Sequence, residues 1–246
     1  MSKGIITGCD SNQEWLLPWW WSHYSKHNSY PVVFFNFGMS QDGIAWCQEK
    51  GEIFTLPSVS YPLKPPSTKL KNRLGDRNPS NTVALRSAWF KKTWAFLQSP
   101  FLLTCWLDLD CEVRSNLEPM FHFLSDGDEI ALVKEPDYVE KKSRTAELLY
   151  SDEKSYNTGV VVFRRRAKIL TQSVELALND NDQFLSDQDS LSRAIYVHRP
   201  SIVEMPSIYN WNMSQGMNQN AFILHYVSTW KTAILLTLDV RTYREN

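Results

Sequence analysis

Three short apolar runs, at residues 4–10, 31–37 and 52–56, alternate with two stretches of helix length, at 15–27 and 40–50. Runs of this size, rich in β-branched and aromatic residues, suit buried strands and are too short for buried helices. Parallel neighbours need a crossover of roughly a dozen residues, usually helical, and the spacing supplies it. The alternation points to an α/β fold with a mainly parallel central sheet and helices on its faces. Pro18 fits the first helix only near its first turn. Gly51 ends the second.

Residues 61–81 break this rhythm. They hold Pro62, Pro65, Pro66 and Pro79 among Lys64, Lys69, Lys71, Arg73 and Arg77, and are expected to form a long polar loop. Loops of that length are usually functional or disordered. An amphipathic helix is expected over 83–98, stopped by Ser99-Pro100. Residues 101–107 (FLLTCWL) follow as the most apolar strand of the chain. Shorter strands are expected at 129–133, 159–163 and 201–205, and helices at 168–178 and 187–195. There is no internal repeat, and 246 residues fit a single domain spanning 1–246.

The net charge of −1 argues against a nucleic-acid partner, which would ordinarily bring a basic excess. Phosphate contacts must then come from a few placed residues. Cys9, Cys47, Cys105 and Cys111 share no CxxC spacing, which fits a reducing compartment better than a disulfide framework. No stretch approaches ~20 uninterrupted apolar residues. The expectation is a soluble, cytoplasmic protein without a transmembrane segment. Peripheral membrane contact stays open through Arg164-Arg165-Arg166 and Lys168, although these fit a solvated face. Trp15 and Trp19 share a helix face and are expected in the core, whereas Trp20 or Trp21 is a candidate exposed surface.

The strongest local signal is Asp108-Leu109-Asp110, directly after the most apolar strand. Carboxylates at i and i+2 on extended backbone point the same way. Open parallel sheets bind ligands at the carboxyl ends of their strands. Two converging carboxylates repel unless a cation lies between them, and hard oxygen donors suit Mg²⁺ or Mn²⁺. A solvated turn would also produce this pattern. Phosphatases of the haloacid-dehalogenase type open with an apolar strand and DxD. Theirs continues with a small residue and Thr or Val, where Cys111-Glu112 stand here, and sits near the start of the fold.

Five segments in order resemble the family 8 glycosyltransferases, which have the GT-A fold and retain anomeric configuration. They are Thr7-Gly8-Cys9-Asp10-Ser11-Asn12, Leu107-Asp108-Leu109-Asp110, Tyr156-Asn157-Thr158-Gly159-Val160, Asp187-Gln188-Asp189 and His225-Tyr226-Val227-Ser228-Thr229-Trp230-Lys231. The similarity runs from about Gly4 to Lys231. It implies a Rossmann-like GT-A domain, with residues 1–110 as the nucleotide-binding half and 111–246 as the acceptor and sugar-binding half. Thr7, Asp10 and Asn12 would meet the nucleoside, and Arg86 the donor. Asp108, Asp110 and His225 would hold Mn²⁺ or Mg²⁺, with Asp108 also facing the donor. Asn157, Asp187 and Gln188 would line the sugar pocket, with Asp187 and Gln188 as candidate catalytic residues and no nucleophile assigned. Lys231 would hold the diphosphate, next to Ser228 where the family carries glycine. The Pro-Trp that usually follows the lysine is replaced by Thr232-Ala233.

The expected reaction is metal-dependent transfer of a hexose from a UDP-sugar to a hydroxyl of a glycan, lipid-linked or protein acceptor, with retention. Three alternatives stay open. The chain could be an inverting GT-A transferase with Asp187 or Asp189 as base, another nucleotide-sugar enzyme, or a catalytically silent sugar-nucleotide binding protein. His225 within an apolar run could be an ordinary buried histidine, Asp187 a helix N-cap, and Arg86 half of a surface ion pair.

Overall fold

A computed structural model describes residues 2–56, 63–74 and 79–242. β1 (Lys3–Cys9), α1 (Leu17–His27), β2 (Val32–Asn36), α2 (Gln41–Gln48) and β3 (Glu52–Thr55) realise the opening alternation. Pro18 lies at the start of α1, where it removes no intrahelical hydrogen bond. A 3₁₀ turn over Glu14–Leu16 takes up the beginning of the expected helix. Ser40 caps α2, its Oγ accepting from the Gly43 amide at 3.1 Å.

The expected loop at 61–81 is partly helical. α3 (Thr68–Leu74) lies inside it, and α4 (Pro79–Leu97) starts at a proline that suits a first helical turn. Residues 57–62 and 75–78, and with them Tyr61, Pro62 and Arg77, lie outside the described residues. α4 leads to β4 (Leu103–Leu107), followed by β5 (Cys111–Val113), α5 (Glu118–Phe121), β6 (Ile130–Lys134) and α6 (Asp137–Thr145). The second half continues with β7 (Tyr156–Arg164), α7 (Lys168–Asn179), α8 (Asp187–His198), β8 (Ile202–Glu204), β9 (Trp211–Asn212), β10 (Ile223–His225) and α9 (Lys231–Thr242).

Among the described residues, seven strands form the central sheet in the order β3-β2-β1-β4-β7-β6-β8. β7 is the one antiparallel member, pairing with β4 on one side and β6 on the other. The remaining pairings are parallel. Alternate residues sort to opposite faces. Ile5, Phe34 and Cys105 pack with Leu17, Trp20 and Cys47 from α1 and α2. Ile6, Phe35, Trp106 and Phe163 pack with Phe96, Leu170 and Leu191 from α4, α7 and α8. Each fully buried aliphatic or aromatic side chain contributes about 1.5–3 kcal/mol. Trp20, offered by the sequence as a possible exposed residue, is fully buried and stacks on Tyr24 at 5.0 Å. All four cysteines are free and buried. Among the described residues no helix is long and apolar enough to cross a membrane.

A small second sheet, β5-β10-β9, stands at the carboxyl end of β4. It brings His225, at the end of β10, opposite Cys111. The chain leaves the large sheet for the small one through the turn containing Asp108, Leu109 and Asp110, closed by Cys111 N–H to Asp108 O at 3.1 Å. β7 adds a register shift, Leu132 pairing with Val161 but Val133 with Asn157. This irregularity frees residues 158–160 from the β6 ladder beside that turn.

Candidate active site

Asp108 and Asp110 converge, though not by the extended geometry expected. They sit in a turn, with Leu109 between them buried in the core. The Asp108 amide donates to Gly159 O at 2.8 Å, and Asp110 O accepts from the Tyr226 amide at 2.9 Å. The turn is thereby fixed between β7 and the end of β10.

Asp108 Oδ1 accepts from Trp106 Nε1 at 2.6 Å and from Lys92 Nζ at 2.8 Å. Its Oδ2 lies 3.9 Å from His225 Nε2. Asp110 places Oδ1 at 3.3 Å from the same nitrogen and Oδ2 at 3.0 Å from Lys231 Nζ. Each carboxylate thus commits one oxygen to a lysine and turns the other toward His225. Lys92 also reaches Asp187 Oδ2 at 3.5 Å and Thr158 Oγ1 at 3.4 Å. Asp187 Oδ2 accepts from Thr158 Oγ1 at 2.7 Å.

Burial would raise the Asp110 carboxyl, but Lys231 and His225 outweigh it and hold it well below the ordinary carboxylate range. Burial likewise pulls Lys92 and Lys231 down, while Asp108 and Asp187 around the first and Asp110 beside the second raise both above the usual lysine value. For Asp187 burial prevails and pushes its carboxyl up against the pull of Lys92. Three carboxylates therefore share two ammonium groups.

Asp108 Oδ2 and Asp110 Oδ1 each approach His225 Nε2, two hard oxygens and one imidazole of the kind that Mn²⁺ or Mg²⁺ accepts, although Asp108 lies outside the group, among the described residues, whose donor atoms are all within 4.8 Å of one another. Cys111 Sγ also lies within 4.8 Å of the Asp110 and His225 donor atoms. Burial, then the charges of Asp110 and Asp108, push that thiol well above its ordinary range. It is a neutral group aimed at Gly159 O, 3.7 Å away, and a poor ligand for a hard cation.

A second group adjoins the first. Asn157 Nδ2 and Gln188 Nε2 both donate to Glu135 Oε1 at 2.9 Å, just past the end of β6. Asn157 Oδ1 accepts from the Gly159 amide and from Asn210 Nδ2, each at 2.8 Å. Asn210 Oδ1 meets His225 Nδ1 at 2.9 Å. A cavity of ≈ 260 Å³ borders Glu135, Asn157, Asn210, Asn212 and Gln215.

The other expected residues are distributed as follows. Asp10 and Asn12 bond one another in the turn after β1. The neighbouring Gln13 reaches Lys231 Nζ at 3.4 Å and so joins that turn to the cluster. Ser228 adopts φ 56°, the left-handed conformation that glycine favours, so the backbone there is kept without the glycine. Two residues do not take their expected places. Thr7 is fully buried inside β1 and offers no surface to a nucleoside. Arg86 is also fully buried, its guanidinium donating to the carbonyls of Asn181 and Phe184. It ties α4 to the segment before α8. The cation that α4 sends to the carboxylates is Lys92. Its signal was a lysine embedded in the aromatic stretch Trp89–Phe96. Glu135 was likewise marked by its place directly after an apolar strand, as Asp108 is.

No family model matches the sequence, and no curated protein matches it. Solved structures do. The galactosyltransferase LgtC, in complex with donor and acceptor sugar analogs, superposes with a TM-score of 0.63 at 14% identity, over 92% of this chain and 87% of that one. The glycosyltransferase GlyE of Streptococcus pneumoniae gives 0.62 at 14%, over 93% of this chain and 55% of that one. Mouse xyloside xylosyltransferase 1 gives 0.58 at 14%, over 92% and 97%. The chain has the GT-A fold that these glycosyltransferases share.

Proposed function

We propose that this chain is a metal-dependent glycosyltransferase that moves a hexose from a UDP-sugar to an acceptor hydroxyl with retention of configuration. The observation that carries the reading is the convergence of Asp108, Asp110 and His225, with Lys231 beside them, at the carboxyl end of β4 in a GT-A sheet. That is the end of an open α/β sheet where ligands bind.

Asp108, Asp110 and His225 would hold the divalent cation, which when bound would offset the charge that develops on a departing diphosphate. Lys231 adds a positive charge on the Gln13 side of the cluster, next to the turn with Asp10 and Asn12. Lys92 stays buried and fixes the directions of Asp108 and Asp187. Asn157, Asp187 and Gln188 line the sugar position, the latter two at the first turn of α8. The polar cavity beside Glu135 and Asn157 takes the acceptor, much as LgtC holds donor and acceptor analogs together. A glycan, a lipid-linked sugar or a protein side chain would each present the required hydroxyl.

Calorimetry with UDP tests this reading. UDP should bind more tightly with Mn²⁺ than without, because cation and protein share the diphosphate. Equal affinity in both conditions would count against a site of this kind, and preference for another base would correct the donor.

A further inference from the structure

The hydrogen-bond chain behind His225 runs in one direction, and that direction fixes the state of the imidazole. It starts at a group whose role is not open to choice. The Gly159 backbone N–H can only donate, and it meets Asn157 at 2.8 Å, so the atom it meets is the carbonyl oxygen. The other end of that amide is the NH₂ group, and it faces a carboxylate oxygen of Glu135 at 2.9 Å, as it must. The Asn210 atom 2.8 Å from Asn157 Oδ1 is therefore a nitrogen, because two carbonyl oxygens would repel at that distance. Its remaining atom is an oxygen, 2.9 Å from His225 Nδ1. An amide oxygen only accepts, so Nδ1 carries hydrogen. Glu135, Asn157, Asn210 and His225 are all at least nine-tenths buried, and each link is a direct contact between protein groups.

Metal ligation requires the neutral imidazole, and with hydrogen on Nδ1 its lone pair is then on Nε2. It faces Asp110 Oδ1 at 3.3 Å and Asp108 Oδ2 at 3.9 Å. Two carboxylate oxygens close to a nitrogen lone pair suit a cation. Gly159 holds the ring from its other side, where a Cβ would come within 2.1 Å of Cε1.

We propose that Asn210 is a positioning residue, whose carbonyl holds His225 as the Nδ1–H tautomer and so presents Nε2 to the cation site. This rests on the metal reading above and adds to it a residue that touches neither cation nor donor. Hydrogen bonds of this kind orient metal-ligating histidines and raise their basicity, and their loss typically costs 10–100-fold in metal affinity.

Long-range ¹H–¹⁵N spectra of the imidazoles report the tautomer without metal, donor or turnover. The metal-free wild type should show hydrogen on His225 Nδ1. A His225→Gln variant identifies its signals among the five histidines. Asn210→Leu should shift the population toward Nε2–H, which can then donate to Asp110, and weaken calorimetric Mn²⁺ binding by roughly 10–100-fold. Asn210→Asp keeps an acceptor opposite Nδ1 but, like leucine, loses the donor to Asn157 Oδ1, so it should retain the tautomer that leucine loses. It also serves as the control for a fold weakened by leucine. An Nε2–H tautomer in the wild type, or unchanged tautomer and Mn²⁺ affinity in Asn210→Leu, overturns the proposal. An Nδ1–H wild type that binds no Mn²⁺ overturns the metal reading alone and leaves the tautomer assignment standing.

Discussion

Gly159 and His225 are packed so closely that no side chain fits between them, a Cβ on Gly159 falling 2.1 Å from the imidazole Cε1 and 2.5 Å from Nδ1. The missing side chain is part of the site. Gly159→Ala must displace either the β7 backbone, pinned by the Asp108 amide, or the ring. Overpacking of this kind costs about 1–3 kcal/mol. The ring is the softer partner, so thermal unfolding should show a loss of that order, and calorimetry a larger proportional loss of Mn²⁺ binding. Unaltered Mn²⁺ affinity in Gly159→Ala would show that the ring position does not matter.

The two carboxylates should fail differently. Asp108 is partly exposed, with 29% of its side chain accessible, whereas Asp110 is buried against His225 and Lys231. Asp108→Ala should abolish metal-dependent turnover at little cost in thermal midpoint. Asp110→Ala should abolish it and also lower the thermal midpoint, because half-buried Lys231 and buried His225 both lose a buried partner. Paired activity and unfolding measurements separate the two. Equal stability of both variants would contradict the burial argument.

Lys92 and Arg86 lie on the same helix and should also behave differently. Arg86→Met removes a tie between α4 and the carbonyls of Asn181 and Phe184, so it should lower stability and leave the donor KM of the folded fraction unchanged. Lys92→Met leaves Asp108 and Asp187 facing one another and should change donor KM as well as stability. The pH dependence follows from the upward shift of Lys92. A lysine raised in the folded state contributes stability that is complete below its unfolded value of about 10.4 and is lost as pH rises through the folded value. The thermal midpoint of the wild type should therefore fall in that alkaline range more steeply than that of Lys92→Met. Parallel curves would remove Lys92 from the electrostatics of the site.

The central sheet was legible because its inner strands, such as β2, β4 and β6, are continuous apolar runs buried on both faces, with helical crossovers in the opening half. Asp108 stood out at the end of the most apolar strand. Residues 63–74 were misread because proline and lysine density suggests a loop, although Thr68–Leu74 carries no proline and forms α3. Arg86 and Lys92 are six positions apart on a helix and point to different sides, and a spacing match cannot tell which side faces the strand end. Asn210 was invisible for another reason. It lies between a 3₁₀ turn and the two-residue strand β9, where no periodicity marks a face. Its role exists only through Asn157 and His225, far away in sequence.

The most direct test of the account is release of UDP from a panel of UDP-hexoses by the purified chain, with Mn²⁺ and with chelator. The account predicts Mn²⁺-dependent release from at least one donor, lost in chelator and in a folded Asp108→Ala variant. Release that persists undiminished in chelator, or a folded wild type that turns over no donor with Mn²⁺ present, would contradict it.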